Sequence, residues 1–343
     1  MVDVSENIWE LLPWHSHQKM QLISQLNAGK VPHAYLFSGL EGLGKKNVAN
    51  FLAAYLLCEQ ASARDEPCRQ CKQCKLMEGD SHPDFKRLEP EDGSASIKVD
   101  QVRQLVDFFA KSSQQGGQKI AVVSPAEALN NNAANALLKT LEEPSRDSVI
   151  ILVSHQPGML LPTIRSRCQV VEFSKPSLDM SLKWLESNSL GESGEHLYTN
   201  DDLKDALSLA YFSPLKALNY LKTGAQKEYQ LMLDELGSYL KNETLSSTLA
   251  TRWNDDIAHL RVAWMARWLE LILKIKLNTQ NDETLLSDKM FTYLSEKAGH
   301  NELFDLYNNC LSQYRLFLGT TNPNKVLALE SLLHKWSLLM RKH

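Results

Sequence analysis

The sequence has no apolar segment long enough to cross a bilayer; runs such as Val149–Val153 are far too short. The N-terminus lacks the basic segment and long apolar stretch of a secretory signal. A net charge of −4 gives no overall attraction to nucleic acids or membranes, so any nucleic-acid contact must come from a local patch. Internal repeats and low-complexity tracts are also missing. These absences favour a cytoplasmic globular protein, and 343 residues are enough for two or three domains.

Cysteine is scarce, but four of the six cysteines lie close together at metal-binding spacing: Cys58, Cys68, Cys71 and Cys74. Two consecutive C-x2-C steps predict one tetrahedral zinc ion bound by four thiolates. Because protein ligands fill every position, the site is expected to be structural rather than catalytic. Cys168 and Cys310 are isolated, which fits a reducing compartment better than a disulfide framework.

Two alternatives to this zinc site remain open. The four cysteines could be free thiols without a metal. His82 could instead replace Cys58, which stands further along the chain from the other three cysteines than they do from one another.

The first 174 residues alternate between apolar runs and helical patterns, which predicts an α/β doubly wound domain with a parallel sheet. A helix is predicted after Asp100, and another from Ala126 to Glu143 with Leu129 on its apolar face, ended by Pro144. The expected strands are residues 34–38, 120–123, 149–153 and 169–173.

The remaining sequence predicts helices only. Residues 175–223 are expected to form a small helical domain and residues 224–343 a larger one. Two apolar stripes in the latter, Ile257 to Ile275 and Val326 to Met340, contain tryptophans at helical spacing. Ordinary helix packing explains them, and an oligomer interface is the alternative because such surfaces are rich in tryptophan.

A glycine-rich segment from Gly39 to Lys46 follows the first predicted strand and resembles a phosphate-binding loop. Gly39, Gly44 and Lys45 are its candidate nucleotide-binding residues. Position 46 is a lysine, where magnesium binding requires a serine or threonine hydroxyl. The acidic pair expected after the second core strand is replaced by Ser124-Pro125, and Glu127 is a poor substitute. We therefore expect no ATP hydrolysis by this site and regard the loop as vestigial.

Arg167 is the one candidate catalytic residue. It lies in the segment Arg165–Cys168, just before the last predicted strand. A guanidinium there could stabilise charge on a γ-phosphate bound by a neighbouring subunit, as an arginine finger acting in trans. From residue types alone, a surface ion pair is the better explanation, and only the wider sequence pattern favours the arginine finger.

Taken together, the segments 32–39, 135–144 and 166–168, with the four-cysteine insertion, resemble bacterial clamp-loader subunits. The altered loop and missing acidic pair resemble in particular the delta-prime subunits of DNA polymerase III. An ATP-hydrolysing gamma/tau subunit would carry Thr or Ser at position 46 and Asp-Glu at 124–125. The resemblance is specific over about residues 30–175 and extends weakly to residues 324–330.

This resemblance implies an AAA+ (P-loop NTPase-like) domain with a zinc insertion at about 58–74, a helical lid and a helical collar. It also implies a hetero-pentamer with gamma/tau and delta subunits that loads the sliding clamp onto primer-template DNA. ATP would be bound by neighbouring subunits. The chain would belong to the DNA-directed DNA polymerase holoenzyme, a nucleotidyltransferase, without an ATPase activity of its own. Leu215 stands where the resemblance leads us to expect a nucleotide-sensing arginine, and only Lys216 beside it is basic.

Two other functions stay in view. The chain could be the gamma/tau-like motor itself, which Mg-dependent hydrolysis would reveal. It could also be a zinc-dependent DNA-binding module, although the zinc segment carries charges of both signs and DNA binding needs clustered cations.

Overall fold

The computed structural model describes residues 10–91, 94, 96–191, 194–277, 294–318 and 323–341. The chain divides into two compact units, Met1–Thr223 and Gly224–His343. Each unit is described by itself.

The first unit is built on a five-stranded parallel sheet in the order β2-β3-β4-β1-β5. The strands are β1 Ala34–Gly39, β2 Phe85–Leu88, β3 Lys119–Val123, β4 Ser148–Ser154 and β5 Gln169–Phe173. Four of them match the predicted strands. The edge strand β2 was not predicted, because its sequence Phe-Lys-Arg-Leu contains two charged residues and no apolar run.

Helices cover both faces of this sheet. They are α1 Ser16–Asn27, α2 Lys45–Leu57, α3 Lys72–Glu78, α4 Val99–Ala110, α5 Asn131–Glu142 and α6 Pro162–Arg165. Three further helices, α7 Leu178–Asn188, α8 Asn200–Leu209 and α9 Pro214–Thr223, follow β5 and pack against one another. Alternation along the strands explains the two cores: Tyr35 and Phe37 of β1 pack into one, and Leu36 packs into the other. Burial of both strand faces is why the central strands are continuously apolar.

The helix predicted from Ala126 to Glu143 is wrong at its start. A short 3-10 turn covers Ala126–Ala128, and α5 begins only at Asn131. The side chain of Asn130 accepts a hydrogen bond of 2.8 Å from the backbone amide of Ala133, which makes Asn130 the helix N-cap. Leu129 therefore lies outside the helix, in an extended conformation.

The second unit is helical throughout its described residues. Its helices are α10 Ala225–Leu240, α11 Ser246–Arg252, α12 Ala258–Lys276, α13 His300–Leu318 and α14 Lys325–Arg341. Trp264, Trp268 and Trp336 are buried within the unit, and the rings of Trp268 and Trp336 meet edge to face at 5.9 Å. Helix packing is thus the correct explanation for the tryptophans of the two stripes. The side chain of Met340 lies outside the described residues.

The predicted fold class is confirmed: a parallel α/β sheet with a four-cysteine cluster is followed by a helical C-terminal part. The separation of residues 175–223 from the sheet domain stays a prediction. Within the described ranges, none of the helices combines the length and the apolar character that crossing a membrane requires.

Candidate functional site

The glycine loop connects the end of β1 to the start of α2, which is the arrangement that a phosphate-binding loop requires. Gly42 and Gly44 have φ values of 79° and 78°, a backbone conformation that favours glycine. Gly44 is also the N-cap of α2. The strand, glycine loop and helix predicted from the sequence are therefore present. What the loop can do chemically depends on the side chains that surround the loop.

The Lys45 ammonium group is bound by the loop itself. Its Nζ donates to the backbone oxygens of Gly39 at 2.7 Å and Leu40 at 2.6 Å. Burial lowers the pKa of Lys45 to about 8, although the nearby carboxylates of Glu127 and Glu41 act in the opposite direction. The lysine that would contact a β/γ-phosphate is thus engaged by two backbone carbonyls of the loop.

Lys46 lies where a magnesium-binding hydroxyl would be required. Its Nζ is 2.9 Å from Oε1 of Glu89, the residue directly after β2. This salt bridge places a cation and its own counter-ion beside the loop. The sequence identified the missing hydroxyl, but it gave no indication of Glu89, because the two residues are distant along the chain.

Glu127 lies close enough to Lys45 to influence its pKa, so an acidic group is present near the loop after all. Its Oε1 accepts a hydrogen bond of 2.8 Å from the backbone amide of His155, directly after β4. Burial lowers the pKa of His155, and the charge of Lys45 lowers it further. Among the described residues, Oε2 of Glu127 has no hydrogen-bond partner. Glu127 thus fixes the end of β4, a role the sequence did not predict.

Helix α9 packs directly against the loop. The backbone amide of Leu215 donates to the carbonyl of Gly42 at 3.2 Å, and Lys216 Nζ lies 2.9 Å from Oε2 of Glu41. A Cβ atom on Gly42 would come within 2.7 Å of the Lys216 Cβ. Burial alone would raise the pKa of Glu41, but Lys216, His155 and Lys45 outweigh it, and the pKa is lowered.

The segment before α1 covers the other side of the loop. Trp14 Nε1 donates to the carbonyl of Leu43 at 3.0 Å, and His15 Nε2 lies 2.8 Å from the same oxygen. His15 Nδ1 accepts from the amide of Leu12 at 3.1 Å, which assigns the proton to Nε2. Burial lowers the pKa of His15 to about 4. The imidazole is therefore neutral at physiological pH and holds the loop by a hydrogen bond.

Arg167 lies between α6 and β5, at the edge strand of the sheet. Its Nη2 is 2.6 Å from Oε1 of Glu142 at the end of α5, and its Nη1 donates to the carbonyl of Thr163 at 2.9 Å. A third of the Arg167 side chain remains exposed. The surface ion pair considered from the sequence is therefore present, and its partner is Glu142.

The four cysteines predicted to bind zinc are brought together. The sulfur atoms of Cys58, Cys68, Cys71 and Cys74 all lie within 4.8 Å of one another. Backbone amides point at the sulfurs: Cys68 N donates to Cys58 Sγ at 3.2 Å, and Cys71 N donates to Cys68 Sγ at 3.3 Å. Such N–H···S contacts favour thiolates, the form that binds metal. The donor set and its compactness fit a tetrahedral Zn²⁺ ion.

The amides of Gln70 and Cys71 lower the pKa of the Cys68 thiol to about 6, whereas burial raises the pKa of Cys58 and of Cys74. His82, the alternative to Cys58, has other partners. Its Nε2 is 2.9 Å from Oε1 of Gln73 and its Nδ1 accepts from the amide of Asp84 at 3.1 Å, so both ring nitrogens are occupied.

Comparison with known proteins gives one consistent answer. Residues 14–177 match the family model described as DNA polymerase III, delta subunit. DNA polymerase III subunit delta' of Pseudomonas aeruginosa is 38% identical, over 96% of this chain and 98% of that protein. The subunit of the same name from Haemophilus influenzae is 34% identical over 78% of each chain.

A solved DNA polymerase III gamma-subunit-related protein from Thermotoga maritima aligns over 94% of this chain and 96% of its own, at 20% identity and a TM-score of 0.37. With 38% identity over nearly the full length of both proteins, the chain belongs to the family of DNA polymerase III delta-prime subunits.

Proposed function

We propose that this chain is an ATPase-inactive subunit of the bacterial replicative clamp loader. It assembles with gamma/tau-type and delta-type subunits into a hetero-pentamer that loads the sliding clamp onto primer-template DNA. Family membership supports the complex. The observation that carries the inactivity is the state of the two loop lysines: Lys45 is bound to the carbonyls of Gly39 and Leu40, and Lys46 is paired with Glu89.

The residues around the glycine loop lack two groups that phosphoryl transfer requires. Catalysis needs a hydroxyl to hold Mg²⁺ and an acidic group to position it. Position 46 offers an ammonium group, and Ser124-Pro125 supplies no carboxylate after β3. Glu127 lies beyond Pro125 in a 3-10 turn, and its Oε1 is engaged by the His155 amide. The gamma/tau-like motor is therefore the weaker candidate.

The test is Mg-dependent ATP hydrolysis and equilibrium ATP binding by the purified chain, followed by clamp loading with gamma/tau and delta partners. We expect no hydrolysis by the chain alone and a strong dependence of loading on its presence. Hydrolysis that Lys45→Ala abolishes would show that the loop is a working nucleotide site.

We further propose that Arg167 acts in trans on ATP bound by a neighbouring gamma/tau subunit. Its support is the partial exposure of the guanidinium at the sheet edge. The contacts with Glu142 and the Thr163 carbonyl keep the arginine ordered in the free chain. Both are replaceable: the partner carboxylate is half exposed, and a phosphate is a stronger bidentate acceptor. Exchange of Glu142 for a γ-phosphate would then accompany assembly.

Zinc, held by Cys58, Cys68, Cys71 and Cys74, supplies folding energy and no catalysis in this proposal. A DNA-binding zinc module is less well supported. Acidic residues of the module contact helix α1: Lys19 Nζ lies 2.5 Å from Glu66, and Asn27 donates to Asp65 at 3.0 Å. The module therefore packs on its own domain and presents charges of both signs.

The proposal also includes three domains and a location in the cell. Residues 1–174 form the AAA+ domain, residues 175–223 the lid and residues 224–343 the collar that joins the subunits. A replication subunit of this family works in the bacterial cytoplasm at the replisome. Removal of residues 224–343 is expected to abolish assembly with the partner subunits, which size-exclusion chromatography of the mixture would measure.

A further inference from the structure

The four-cysteine module is connected to the edge of the sheet by a buried chain of hydrogen bonds, which runs through polar side chains and the backbone amide of Asp84. Gln73 belongs to helix α3, between the ligands Cys71 and Cys74, and its Oε1 lies 2.9 Å from His82 Nε2. His82 Nδ1 in turn accepts from the backbone amide of Asp84 at 3.1 Å. Gln73, His82 and Asp84 are 9%, 5% and 0% exposed. We refer to these three residues as the Gln73–His82–Asp84 chain.

Asp84 continues this chain into the loop that precedes β3. Its carboxylate accepts from the Ser113 hydroxyl at 2.8 Å, from the Gln114 amide at 2.9 Å and from the Gln115 amide at 2.9 Å. The Ser113 oxygen then accepts from the Gly117 amide at 3.1 Å. A fully buried carboxylate with these donors therefore organises the loop of residues 111–118.

The same carboxylate residue is bonded to the sheet. The backbone oxygen of Asp84 accepts from the amide of Ile120 in β3 at 2.9 Å, directly before β2 begins. A second contact links module and loop at the surface, where Lys72 Nζ donates to Oε1 of Gln115 at 3.0 Å. β2 is an edge strand with a neighbour on one side only, so it has fewer backbone contacts than the central strands.

We propose that the four-cysteine module fixes the β2 edge of the sheet and the 111–118 loop through the Gln73–His82–Asp84 chain, so that loss of the metal releases both. This inference rests on the metal-binding part of the proposed function. A bound metal would hold Cys71 and Cys74 at the first turn of α3, and that turn places Gln73 against His82. Without the metal, His82 would lose its hydrogen bond to Gln73 while His82 and Asp84 stay buried.

Because the Gln73–His82–Asp84 chain is buried, breaking one of its hydrogen bonds is expected to destabilise the residues around it. A buried donor or acceptor that loses its partner is destabilised by much more than an exposed one, because water cannot replace the lost bond. In a connected network the loss extends to the neighbouring bonds. A module that stabilised only itself would need no such continuous buried chain towards the sheet. The expected effect of metal loss is therefore local opening at residues 82–88 and 111–118, with the central strands intact.

Amide hydrogen exchange measures this directly, because the amides of Gln114, Gln115 and Gly117 are themselves the donors. The full-length chain is compared with three variants by mass spectrometry, with zinc content measured in each sample. Cys71→Ser/Cys74→Ser removes metal ligands, Gln73→Leu interrupts the chain, and Asp84→Asn weakens the acceptor. His196→Ala, at an exposed histidine in the same unit, is the matched control.

We expect Cys71→Ser/Cys74→Ser to lose zinc and to exchange at least about tenfold faster at Gln114 and Gln115. Gln73→Leu and Asp84→Asn should keep zinc and show the same acceleration, and His196→Ala should match the wild type. Amides of β4 should stay protected in every variant. If the β4 amides of the double cysteine variant also lose protection, the variant has unfolded more widely. The metal is then removed from the wild-type chain by titration with a chelator, and the same amides are measured.

If the amides of the 111–118 loop stay equally protected after zinc is lost, the inference is overturned. The proposal that the four cysteines bind zinc would not be affected by that result. Unchanged protection in Gln73→Leu would likewise show that the polar chain transmits nothing. A wild-type chain that carries no zinc would refute the metal site of the proposed function itself, which the metal measurement identifies separately.

Discussion

Lys216 and Glu41 form an ion pair of 2.9 Å between residues 175 positions apart in the sequence. Beside it, the Leu215 amide donates to the Gly42 carbonyl at 3.2 Å. The start of helix α9 is therefore bound to the glycine loop by one ion pair and one backbone hydrogen bond. These contacts fix the backbone of the loop from the side of α9.

The first prediction concerns the strength of this pair. In a double-mutant cycle with Glu41→Gln and Lys216→Met, measured by urea unfolding, we expect a coupling free energy of about 0.5–1 kcal/mol, since both side chains are partly exposed. The exposed pair Asp179 and Lys183, also at 2.9 Å, is the control and should couple by about 0.3 kcal/mol. Equal coupling in both cycles would show that the helix-loop contact has no special contribution.

The second prediction concerns pH. Burial holds the folded pKa of His15 at about 4, below its usual value of 6.5, so the unfolded chain binds a proton that the folded chain does not between these values. Stability from this group is complete above pH 6.5 and is lost as the pH falls towards 4, by about 3 kcal/mol in total.

His15→Gln is the matched variant, because its amide can still donate to the Leu43 carbonyl but does not titrate. At pH 7 the wild type should have the larger free energy of unfolding. As the pH falls from 7 to 4 this advantage should shrink, and the variant should then become the more stable protein. A constant difference over that range would contradict the prediction.

The third prediction concerns Arg167. Arg167→Ala should leave the chain folded and assembled, yet reduce the DNA- and clamp-stimulated hydrolysis of the complex and reduce loading further. Arg167→Lys should rescue poorly, because an ammonium cannot make bidentate contacts. An isolated finger of this kind is worth about 10³–10⁵ in rate, but the loss here is expected to be partial because only one subunit junction is affected.

Glu142→Gln separates this role from a structural ion pair, since it breaks the pair and keeps the guanidinium. We expect hydrolysis by the complex to be preserved in Glu142→Gln. If both variants lose activity equally, Arg167 serves its own fold.

The fourth prediction concerns the metal. The purified chain should contain about one zinc per molecule, Cys58→Ser should lose it, and His82→Ala should retain it. The physical reason is that all four sulfurs lie within 4.8 Å of one another, whereas the ring nitrogens of His82 are engaged by Gln73 and Asp84. Elemental analysis of preparations made without chelators decides the point. Zinc loss in His82→Ala with retention in Cys58→Ser would reverse the ligand assignment.

The fifth prediction concerns repair of the loop. Lys46→Thr restores the missing hydroxyl but leaves Ser124-Pro125 in place, so Mg-dependent hydrolysis should remain undetectable. The substitution also leaves Glu89 without its salt bridge. Hydrolysis above background in Lys46→Thr would mean that another carboxylate can serve the metal, and Glu127, whose Oε2 has no hydrogen-bond partner among the described residues, is the candidate.

The buried part of the fold was predictable from the sequence because burial imposes an apolar pattern. β3 and β4 are covered on both faces, so nearly every residue must be apolar and the strands are recognisable. β2 was missed because an edge strand of four residues tolerates Lys86 and Arg87. The start of α5 was misplaced because Asn130 caps the helix, a local hydrogen bond that outweighed the continuing apolar pattern.

The candidate site was predictable in its residue types and unpredictable in its partners. Four cysteines at fixed spacing specify a metal site locally, and the lysine at position 46 is visible as a departure from a motif. The side chains that define the state of the loop, namely Glu89, Lys216 and His15, come from other elements of the first unit. Such contacts depend on how the helices pack, and no local pattern in the chain encodes them.

The glycines of the loop have a consequence for how this motif is used as a diagnostic. A side chain on Gly42 would collide with Lys216, and one on Gly44 would meet Leu12 and His15 at less than 3 Å. These positions would have to stay glycine even in a chain that never encountered a nucleotide, because the neighbouring elements occupy the space. The glycines at positions 42 and 44 are therefore explained by backbone conformation and close packing, and by themselves they are no measure of nucleotide binding by this chain.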